Sequence, residues 1–472
     1  MYNVSSKQAE EFIDHQEILD TLDYARTNKD NRALIESLLE KAASCKGLSH
    51  REAALLLECD QPDLTERIFH LAREIKQKLY GNRIVMFAPL YLSNYCVNGC
   101  VYCPYHAKNR TIARKKLSQE EIRREVIALQ DMGHKRLALE AGEDPLRNPI
   151  DYILESIQTI YGIHHKNGAI RRVNVNIAAT TVENYRRLRD AGIGTYILFQ
   201  ETYHKGNYET LHPTGPKSKY SYHTEAMDRA MEGGIDDVGI GVLFGLNTYR
   251  YDFVGLLMHA EHLEATFGVG PHTISVPRIC PADDISTQDF PDAISDDIFC
   301  KIVAVIRIAV PYTGMIISTR ESAATRRKVL NLGISQISGG SRTSVGGCGL
   351  PETPEENSAQ FDISDTRTLD EVVNWLLDFG HIPSFCTACY RAGRTGDRFM
   401  SLVKSGQIAN CCAPNALMTL KEYLEDYAAP DTRAKGIQLI KKELEHIPNP
   451  KIKEIAIRNL KEIEEGKRDF RF

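Results

Sequence analysis

Residues 173–201 have the sequence VNVNIAATTVENYRRLRDAGIGTYILFQE and contain one strand–helix–strand unit. VNVNIA (173–178) and YILFQE (196–201) are short β-rich runs, and residues 181–191 between them have helical character. Strands that are joined through a helix are typically parallel, because the helix returns the chain to the end at which the first strand began. The stretch therefore predicts a parallel βαβ fold.

Similar units extend this pattern from residue 84 to about residue 340. Eight predicted strands lie at 84–91, 137–141, 173–178, 196–201, 237–244, 273–277, 316–319 and 334–338. Predicted helices lie near 119–132, 149–166, 181–191, 221–233, 250–267, 294–310 and 322–332. Eight such units can close a barrel. The expected fold class is α/β, a full (β/α)8 TIM-type barrel over residues 81–345.

Regions on either side of the barrel are predicted to be helical. An N-terminal helical extension covers residues 1–80, with capping boxes expected at Ser49 to Glu52 and at Asp63 to Glu66. A C-terminal, mostly helical domain covers residues 346–472 and contains a second group of cysteines.

The composition excludes several function classes. The formal net charge is -5, which does not favour a nucleic-acid or membrane-surface partner. No apolar run reaches the length of a membrane span, and the start MYNVSSKQAEEF lacks a secretory pattern. We therefore expect a cytoplasmic protein, in which the 12 cysteines are reduced and clustered ones are metal ligands.

The first cysteine group follows the first predicted strand. Cys96, Cys100 and Cys103 lie on one short loop, at the barrel face where enzymes of this fold place their chemistry. Three thiolates can hold three irons of a four-iron cluster and leave the fourth iron open to a substrate or cofactor. A zinc site, or three unrelated cysteines, is the alternative.

This CxxxCxxC motif, with Tyr102 before its last cysteine, resembles the radical S-adenosylmethionine (SAM) superfamily. The resemblance implies a SAM-binding 4Fe-4S cluster and a 5′-deoxyadenosyl radical. Tyr102 would contact the adenine, and Gly142 with Glu143 would match the family's glycine–glutamate motif. Further cofactor contacts are expected from Asn174 or Asn176 and from Glu201, for which a solvated loop carboxylate is the alternative.

The stretches LEAGEDP, NVNIA, QETY and STRES resemble the aromatic amino-acid lyase branch of that superfamily, which cleaves L-tyrosine to p-cresol and dehydroglycine. A free amino acid needs a cation for its carboxylate, and Arg320 and Arg278 both end predicted strands on the cluster face. A structural ion pair is the alternative for each arginine. Ser338 and Ser341 near the eighth predicted strand could help to hold the amine, with less support, and Tyr95 beside the cysteines is a further pocket candidate.

The second cysteine group comprises Cys386, Cys389 and, 22 residues further on, Cys412, with Cys411 as a competing third ligand. A redox pair or half of a zinc site is the alternative. This group on a lyase core resembles the HydG family of FeFe-hydrogenase maturases. The resemblance implies an auxiliary 4Fe-4S cluster with an additional iron, bridged by a free L-cysteine, where dehydroglycine yields CO and cyanide. The implied partners are L-tyrosine, an electron donor such as flavodoxin or ferredoxin, and other hydrogenase maturation proteins.

His272 is predicted to bind the additional iron. It precedes the sixth predicted strand, which places it at the barrel end opposite the first cysteine group, and it matches the family's iron ligand. A histidine that caps a strand end is the alternative. Transfer of dehydroglycine between the two ends would need a passage, with which Gly239 and Gly241 in the fifth predicted strand are compatible. The competing functions are a thiazole-pathway tyrosine lyase that releases 2-iminoacetate and an iron–sulfur carrier.

Overall fold

The computed structural model of the chain describes residues 1–349 and 356–472, so part of the loop predicted after the barrel, residues 350–355, lies outside the described residues. Within these ranges eight parallel strands form a closed barrel, because the first of them pairs with both the second and the last. The barrel strands are β1 (Arg83–Ser93), β2 (Arg136–Ala141), β5 (Arg172–Asn176), β6 (Tyr196–Ile197), β7 (Val238–Gly241), β8 (Thr273–Ser275), β9 (Gly314–Ile317) and β10 (Gln336–Ser338). The predicted barrel and its eight strands are confirmed.

Helices surround the barrel and form both terminal regions. The N-terminal helices are α1 (Ala9–Phe12), α2 (His15–Asn28), α3 (Arg32–Ala42), α4 (His50–Glu58) and α5 (Pro62–Tyr80). The helices between barrel strands are α6 (Gln119–Asp131), α7 (Ile150–Tyr161), α8 (Val182–Asp190), α9 (Lys205–Leu211), α10 (Tyr220–Thr224), α11 (Ala226–Glu232), α12 (Tyr249–Phe267), α13 (Asp296–Ala309) and α14 (Ala323–Leu330). The C-terminal helices are α15 (Leu369–Asp378), α16 (Ala388–Arg391), α17 (Gly396–Lys404), α18 (Ala409–Asp426), α19 (Pro430–Leu444) and α20 (Pro450–Glu464). Among the described residues, none of these helices combines the length and apolar character that a bilayer span requires.

Of the two predicted capping boxes, one is present. Ser49 and Glu52 form a reciprocal capping box at the start of α4. The prediction for Asp63 is wrong, because α5 begins earlier, at Pro62, with Gln61 as its cap residue. Proline suits the first helical position, where its missing N–H is not needed. Asp63 then lies in the first turn, where its charge complements the helix dipole.

The alternation of side chains along β2 and β5 gives the barrel interior its layers. Arg136 pairs with Arg172, Ala138 with Asn174, and Glu140 with Asn176. Residues two apart in a strand share a face. Because both strands run in the same direction, the arginines lie at the N-terminal end of the barrel and Glu140 lies near its C-terminal end.

The C-terminal region covers the N-terminal end of the barrel. Its strand β11 (Ile382–Ser384) pairs with the first residues of β1. The Gly396 amide donates a hydrogen bond to Asp237 Oδ1 at 3.0 Å, just before β7 begins. The second cysteine group is thereby brought to the barrel end opposite the loop of Cys96. A short antiparallel hairpin, β3 (His164–His165) with β4 (Gly168–Ala169), lies outside the barrel.

Candidate active site and auxiliary metal centre

The first cysteine group lines a cavity at the C-terminal end of the barrel, which we call the outer cavity. Cys96, Cys100 and Cys103 all contribute to its wall. Burial raises the pKa of the Cys100 thiol, and it raises the pKa of the Cys103 thiol to about 12. Thiols in this environment ionise when a metal supplies the compensating charge. Three such groups on one cavity are a donor set that fits the cluster implied by the motif.

Gly142 and Glu143 lie directly against the cysteine loop. A Cβ atom on Gly142 would lie 2.5 Å from the carbonyl oxygen of Tyr95, so only glycine permits this approach. The Val97 amide donates to the Glu143 carbonyl oxygen at 2.8 Å, and Asn98 Nδ2 donates to Glu143 Oε2 at 2.6 Å. The loop after β2 therefore positions a carboxylate beside the cysteines, as the glycine–glutamate motif requires.

Glu201 and Lys217 form an ion pair in the same cavity, with Lys217 Nζ 2.7 Å from Glu201 Oε1. Glu201 has a φ of 69°, an uncommon conformation for a residue with a side chain and one that is frequent at functional sites. Lys217 Nζ also lies 5.7 Å from the centre of the Tyr102 ring. Lys217 follows a Gly-Pro turn outside any predicted strand, so no motif in the sequence points to it.

The Tyr102 hydroxyl is fixed by His212. The two groups are 2.7 Å apart, and His212 Nδ1 lies 2.7 Å from the carbonyl oxygen of Tyr208. Because the carbonyl can only accept, Nδ1 carries the proton and Nε2 accepts from the tyrosine. The ring of Tyr102 is thus held in the wall of the outer cavity, where the sequence placed it.

A second cavity, the inner cavity, lies deeper in the barrel. It shares part of its wall with the outer cavity, including Glu140, Asn176 and Arg320, but none of the cysteines lines it. The Arg320 guanidinium lies 3.6 Å from the centre of the Phe361 ring. The described residues place no carboxylate within ion-pair distance of Arg320. This cation is therefore free to bind an acidic group.

Ser338 and Asn174 also line the inner cavity. The Oγ atoms of Ser338 and Ser341 are buried, and neither has a hydrogen-bond partner among the described residues. Asn174 Oδ1 accepts from Arg172 Nε at 3.1 Å and from the Thr195 amide at 3.0 Å. Asn174 thus lies one layer below the outer cavity, and Asn176 is the asparagine that reaches it.

Two of the sequence candidates point elsewhere. Arg278 donates to Glu321 and Asp296, and the alternative of an ion pair at the barrel rim describes its position. The Tyr95 ring lies under the guanidinium of Arg147, 4.4 Å from ring centre to Cζ. Neither side chain lines the outer or the inner cavity, so neither is placed to contact a substrate there.

The second cysteine group lines the auxiliary cavity at the opposite end of the barrel. Cys386, Cys389 and Cys412 contribute to its wall. The Sγ atoms of Cys389, Cys411 and Cys412 lie within 4.8 Å of one another, a group that does not include Cys386. Cys386 and Cys412 line the cavity, whereas Cys411 does not. This geometry favours Cys412 over Cys411 as the third ligand.

His272 lines the auxiliary cavity together with these cysteines. Its amide donates to the Val238 carbonyl oxygen at 2.8 Å, and its Nδ1 lies 3.2 Å from Asp237 Oδ1. A carboxylate on one ring nitrogen orients the other nitrogen toward a metal. The position agrees with the predicted role as an iron ligand.

Four arginines that the sequence analysis did not identify surround this cavity: Arg83, Arg136, Arg172 and Arg394. Arg136 donates to the Cys386 carbonyl oxygen at 2.8 Å, and burial lowers its pKa to about 9. The Nε atoms of Arg136 and Arg394 have no partner among the described residues. A thiolate-ligated cluster is anionic, so this donor set fits one. The signal in the sequence for this anionic site was the presence of Arg83, Arg136 and Arg172 on barrel strands.

The inner and auxiliary cavities meet at Gln336, which lines both. Gly239 and Gly241, which are compatible with a passage in the sequence, both lie against neighbouring side chains. A Cβ on Gly241 would lie 2.8 Å from the Phe199 ring, and one on Gly239 would lie 2.5 Å from Thr273 Oγ1. These glycines make room for neighbouring side chains. The residue that lies between the inner and the auxiliary cavity is Gln336.

Comparison with known proteins agrees with this architecture. Residues 90–257 match the Radical SAM superfamily, and residues 275–382 match the Biotin and Thiamin Synthesis associated domain. The chain is 30% identical over 347 residues to 2-iminoacetate synthase of Salmonella typhimurium, which covers 73% of this chain and 89% of that protein.

Two solved structures of HydG are similar over nearly the whole chain. A crystal structure of HydG described as a maturase of the FeFe-hydrogenase has 55% identity and a TM-score of 0.94, and the match covers 98% of this chain and 100% of that one. HydG from Carboxydothermus hydrogenoformans has 39% identity and a TM-score of 0.83, with 96% and 99% covered. With two cysteine-lined cavities at the ends of one barrel, the chain belongs to the HydG family of radical SAM lyases.

Proposed function

We propose that this chain cleaves the Cα–Cβ bond of L-tyrosine to p-cresol and dehydroglycine and converts dehydroglycine to CO and cyanide. Iron at the auxiliary site would capture both products as a precursor for the active-site cluster of FeFe-hydrogenase. The observation that carries this proposal is the pair of cysteine-lined cavities at opposite ends of one barrel, with the inner cavity adjoining both.

In the outer cavity Cys96, Cys100 and Cys103 would hold the SAM-binding 4Fe-4S cluster. When bound, cluster and SAM would supply a 5′-deoxyadenosyl radical, with the electron from a donor such as flavodoxin or ferredoxin. Glu143 accepts hydrogen bonds beside the cysteines and is placed for the amine of the methionine group. Tyr102, held by His212, presents its ring for the adenine.

Tyrosine would occupy the inner cavity. The unpaired Arg320 guanidinium can bind a carboxylate through two parallel hydrogen bonds. Aromatic side chains of Phe87, Phe199 and Phe361 line the cavity and suit a phenol ring. Ser338, whose hydroxyl has no partner among the described residues, is a further polar contact.

At the other end Cys386, Cys389 and Cys412 would hold the auxiliary cluster, and His272 would bind the additional iron. A free L-cysteine would bridge that iron to the cluster, as the family resemblance implies. The arginines around the cavity offset the negative charge of the thiolates and of cyanide. Dehydroglycine would reach this end through the inner cavity, past Gln336. Other hydrogenase maturation proteins would receive the product.

The second candidate is a tyrosine lyase that releases 2-iminoacetate for thiazole synthesis. The similarity to 2-iminoacetate synthase favours it, but that function leaves the auxiliary cavity and its arginines without a role.

Anaerobic turnover of the reconstituted chain with SAM, L-tyrosine and reductant separates these candidates. We expect p-cresol, CO and cyanide, each measured by product analysis. p-Cresol with glyoxylate, the hydrolysis product of released dehydroglycine, but without CO or cyanide would favour the second candidate. Absence of p-cresol would contradict both.

We expect His272→Ala to keep p-cresol formation within about twofold of the unmodified chain and to lose most of the additional iron. Loss of a residue that merely orients a metal ligand typically weakens metal binding roughly 10- to 100-fold, so loss of the ligand itself should weaken it at least as much. Iron analysis and electron paramagnetic resonance of the anaerobic protein measure this occupancy. Full occupancy of the additional iron in the variant would remove His272 from the ligand set.

A further inference from the structure

Among the described charged side chains on the outer and inner cavities, Glu143, Arg320 and Glu140 have no ion-pair partner. Glu201 and Lys217 neutralise each other at 2.7 Å. Glu143 lies beside the cysteine loop, on the side that would take SAM. Arg320 and Glu140 remain, and both line the outer and the inner cavity. Arg320 was predicted to bind the substrate carboxylate, whereas no role was predicted for Glu140.

Arg320 and Glu140 face the same space without forming an ion pair. They are near enough for the guanidinium to oppose the effect of burial on the Glu140 carboxyl. Nevertheless, no nitrogen of Arg320 lies within 4.0 Å of the carboxylate among the described contacts. Asn176, which is paired in register with Glu140, lies close enough to lower the pKa of the carboxyl group against the effect of burial. The two side chains thus reach the same cavities from separate parts of the barrel, Glu140 from β2 and Arg320 from the turn after β9, and no ion pair joins them among the described residues.

A free amino acid carries a carboxylate and an ammonium group on one carbon atom. A cation and an anion separated by a gap match this pair of charges, whereas each alone would leave one substrate charge desolvated and unpaired. We propose that Glu140 binds the α-ammonium group of the substrate while Arg320 binds its α-carboxylate. The inference rests on the proposed function, to which it adds a site for recognition of the amine.

The burial of Glu140 is consistent with this role. Burial raises the pKa of its carboxyl group to about 8, so ionisation costs free energy while the cavity is empty of cations. An ammonium group at hydrogen-bond distance would restore the ionised form. A ligand that lacks the ammonium group supplies no positive charge to stabilise the ionised carboxyl group. Glu140 therefore discriminates between α-amino acids and their desamino analogues.

The test combines variants with ligands that lack one charge each. Holoenzyme with SAM but without reductant, which does not turn over, is titrated with L-tyrosine, with 3-(4-hydroxyphenyl)propanoate, which lacks the ammonium, and with tyramine, which lacks the carboxylate. Equilibrium dialysis gives each dissociation constant. Glu140→Gln should weaken tyrosine and tyramine about 10- to 150-fold and leave the propanoate within about twofold. Arg320→Leu should weaken tyrosine and the propanoate by a similar factor and leave tyramine within about twofold.

Glu120→Gln, an exposed position on α6, is the matched control and should leave all three constants unchanged. Equal weakening of all three ligands in Glu140→Gln, or no change in any, would overturn the inference. If that variant does not fold, Glu140→Asp replaces it. Full affinity for tyrosine, with the same preference for tyrosine over the propanoate, would support the role of the charge. Weaker binding of all three ligands would oppose it. Failure of the unmodified chain to bind tyrosine would instead overturn the proposed function.

Discussion

Replacement of Cys100 by alanine is expected to abolish 5′-deoxyadenosine formation. Cys96, Cys100 and Cys103 line one cavity from a single loop, and the further described cysteine in its wall, Cys280, lies on a different segment, after β8. A four-iron cluster that loses one of three protein ligands is left with two, which leaves a second iron unprotected. Anaerobic reconstitution followed by quantification of 5′-deoxyadenosine with SAM and reductant measures the effect.

Cys45→Ala is the matched control for this experiment. Cys45 follows α3 in the N-terminal region and lines neither of the cysteine-lined cavities, and its thiol donates a hydrogen bond to the carbonyl oxygen of Ala43. We expect this variant to produce 5′-deoxyadenosine at the rate of the unmodified chain. Near-normal formation in a folded Cys100→Ala protein would show that the three cysteines do not form the radical-generating site.

The double variant Cys386→Ala, Cys389→Ala is expected to separate the two halves of the reaction. The radical site and the tyrosine cavity lie at the other end of the barrel, so p-cresol formation should remain within a few-fold of normal. CO and cyanide should fall to background, because two of the three thiols of the auxiliary cavity are lost. Chromatography of p-cresol and cyanide, together with trapping of CO, measures the products of both halves of the reaction in one sample.

Cys411→Ala is the matched control, because Cys411 lies beside Cys412 but does not line the auxiliary cavity. It should retain p-cresol, CO and cyanide together. Loss of CO and cyanide in Cys411→Ala with retention in Cys412→Ala would reverse the assignment of the third ligand. Loss of p-cresol in a folded double variant would contradict the division of labour between the two ends.

Local periodicity and motif spacing were sufficient for the fold and for the two groups of cysteines that line the cavities. Strands, helices and the CxxxCxxC loop are encoded by residues that are close in sequence, and each of the eight predicted strands is present. The error at Asp63 was also local, since a proline one residue earlier starts the helix before the apparent capping box.

Side chains that act across the barrel were predicted less well. Arg278 and Arg320 both follow a strand on the same face, yet Arg278 is bound by Glu321 and Asp296 while Arg320 is unpaired. The sequence does not distinguish them, because the carboxylates that neutralise an arginine come from other strands and helices. Glu140 has no sequence signal for the same reason, since the role proposed for it follows from the cavity walls that it shares with Arg320.

The sequence by itself determined the parallel barrel, the family, and the cysteines of the two groups, because each depends on residue types at fixed spacing. Only the tertiary structure decided that Cys412 rather than Cys411 lines the auxiliary cavity, that four arginines surround it, and that Gln336 separates it from the inner cavity. These facts depend on which strand faces meet inside the closed barrel and on how the C-terminal region covers one end. Both are settled by long-range packing, which no local spacing records.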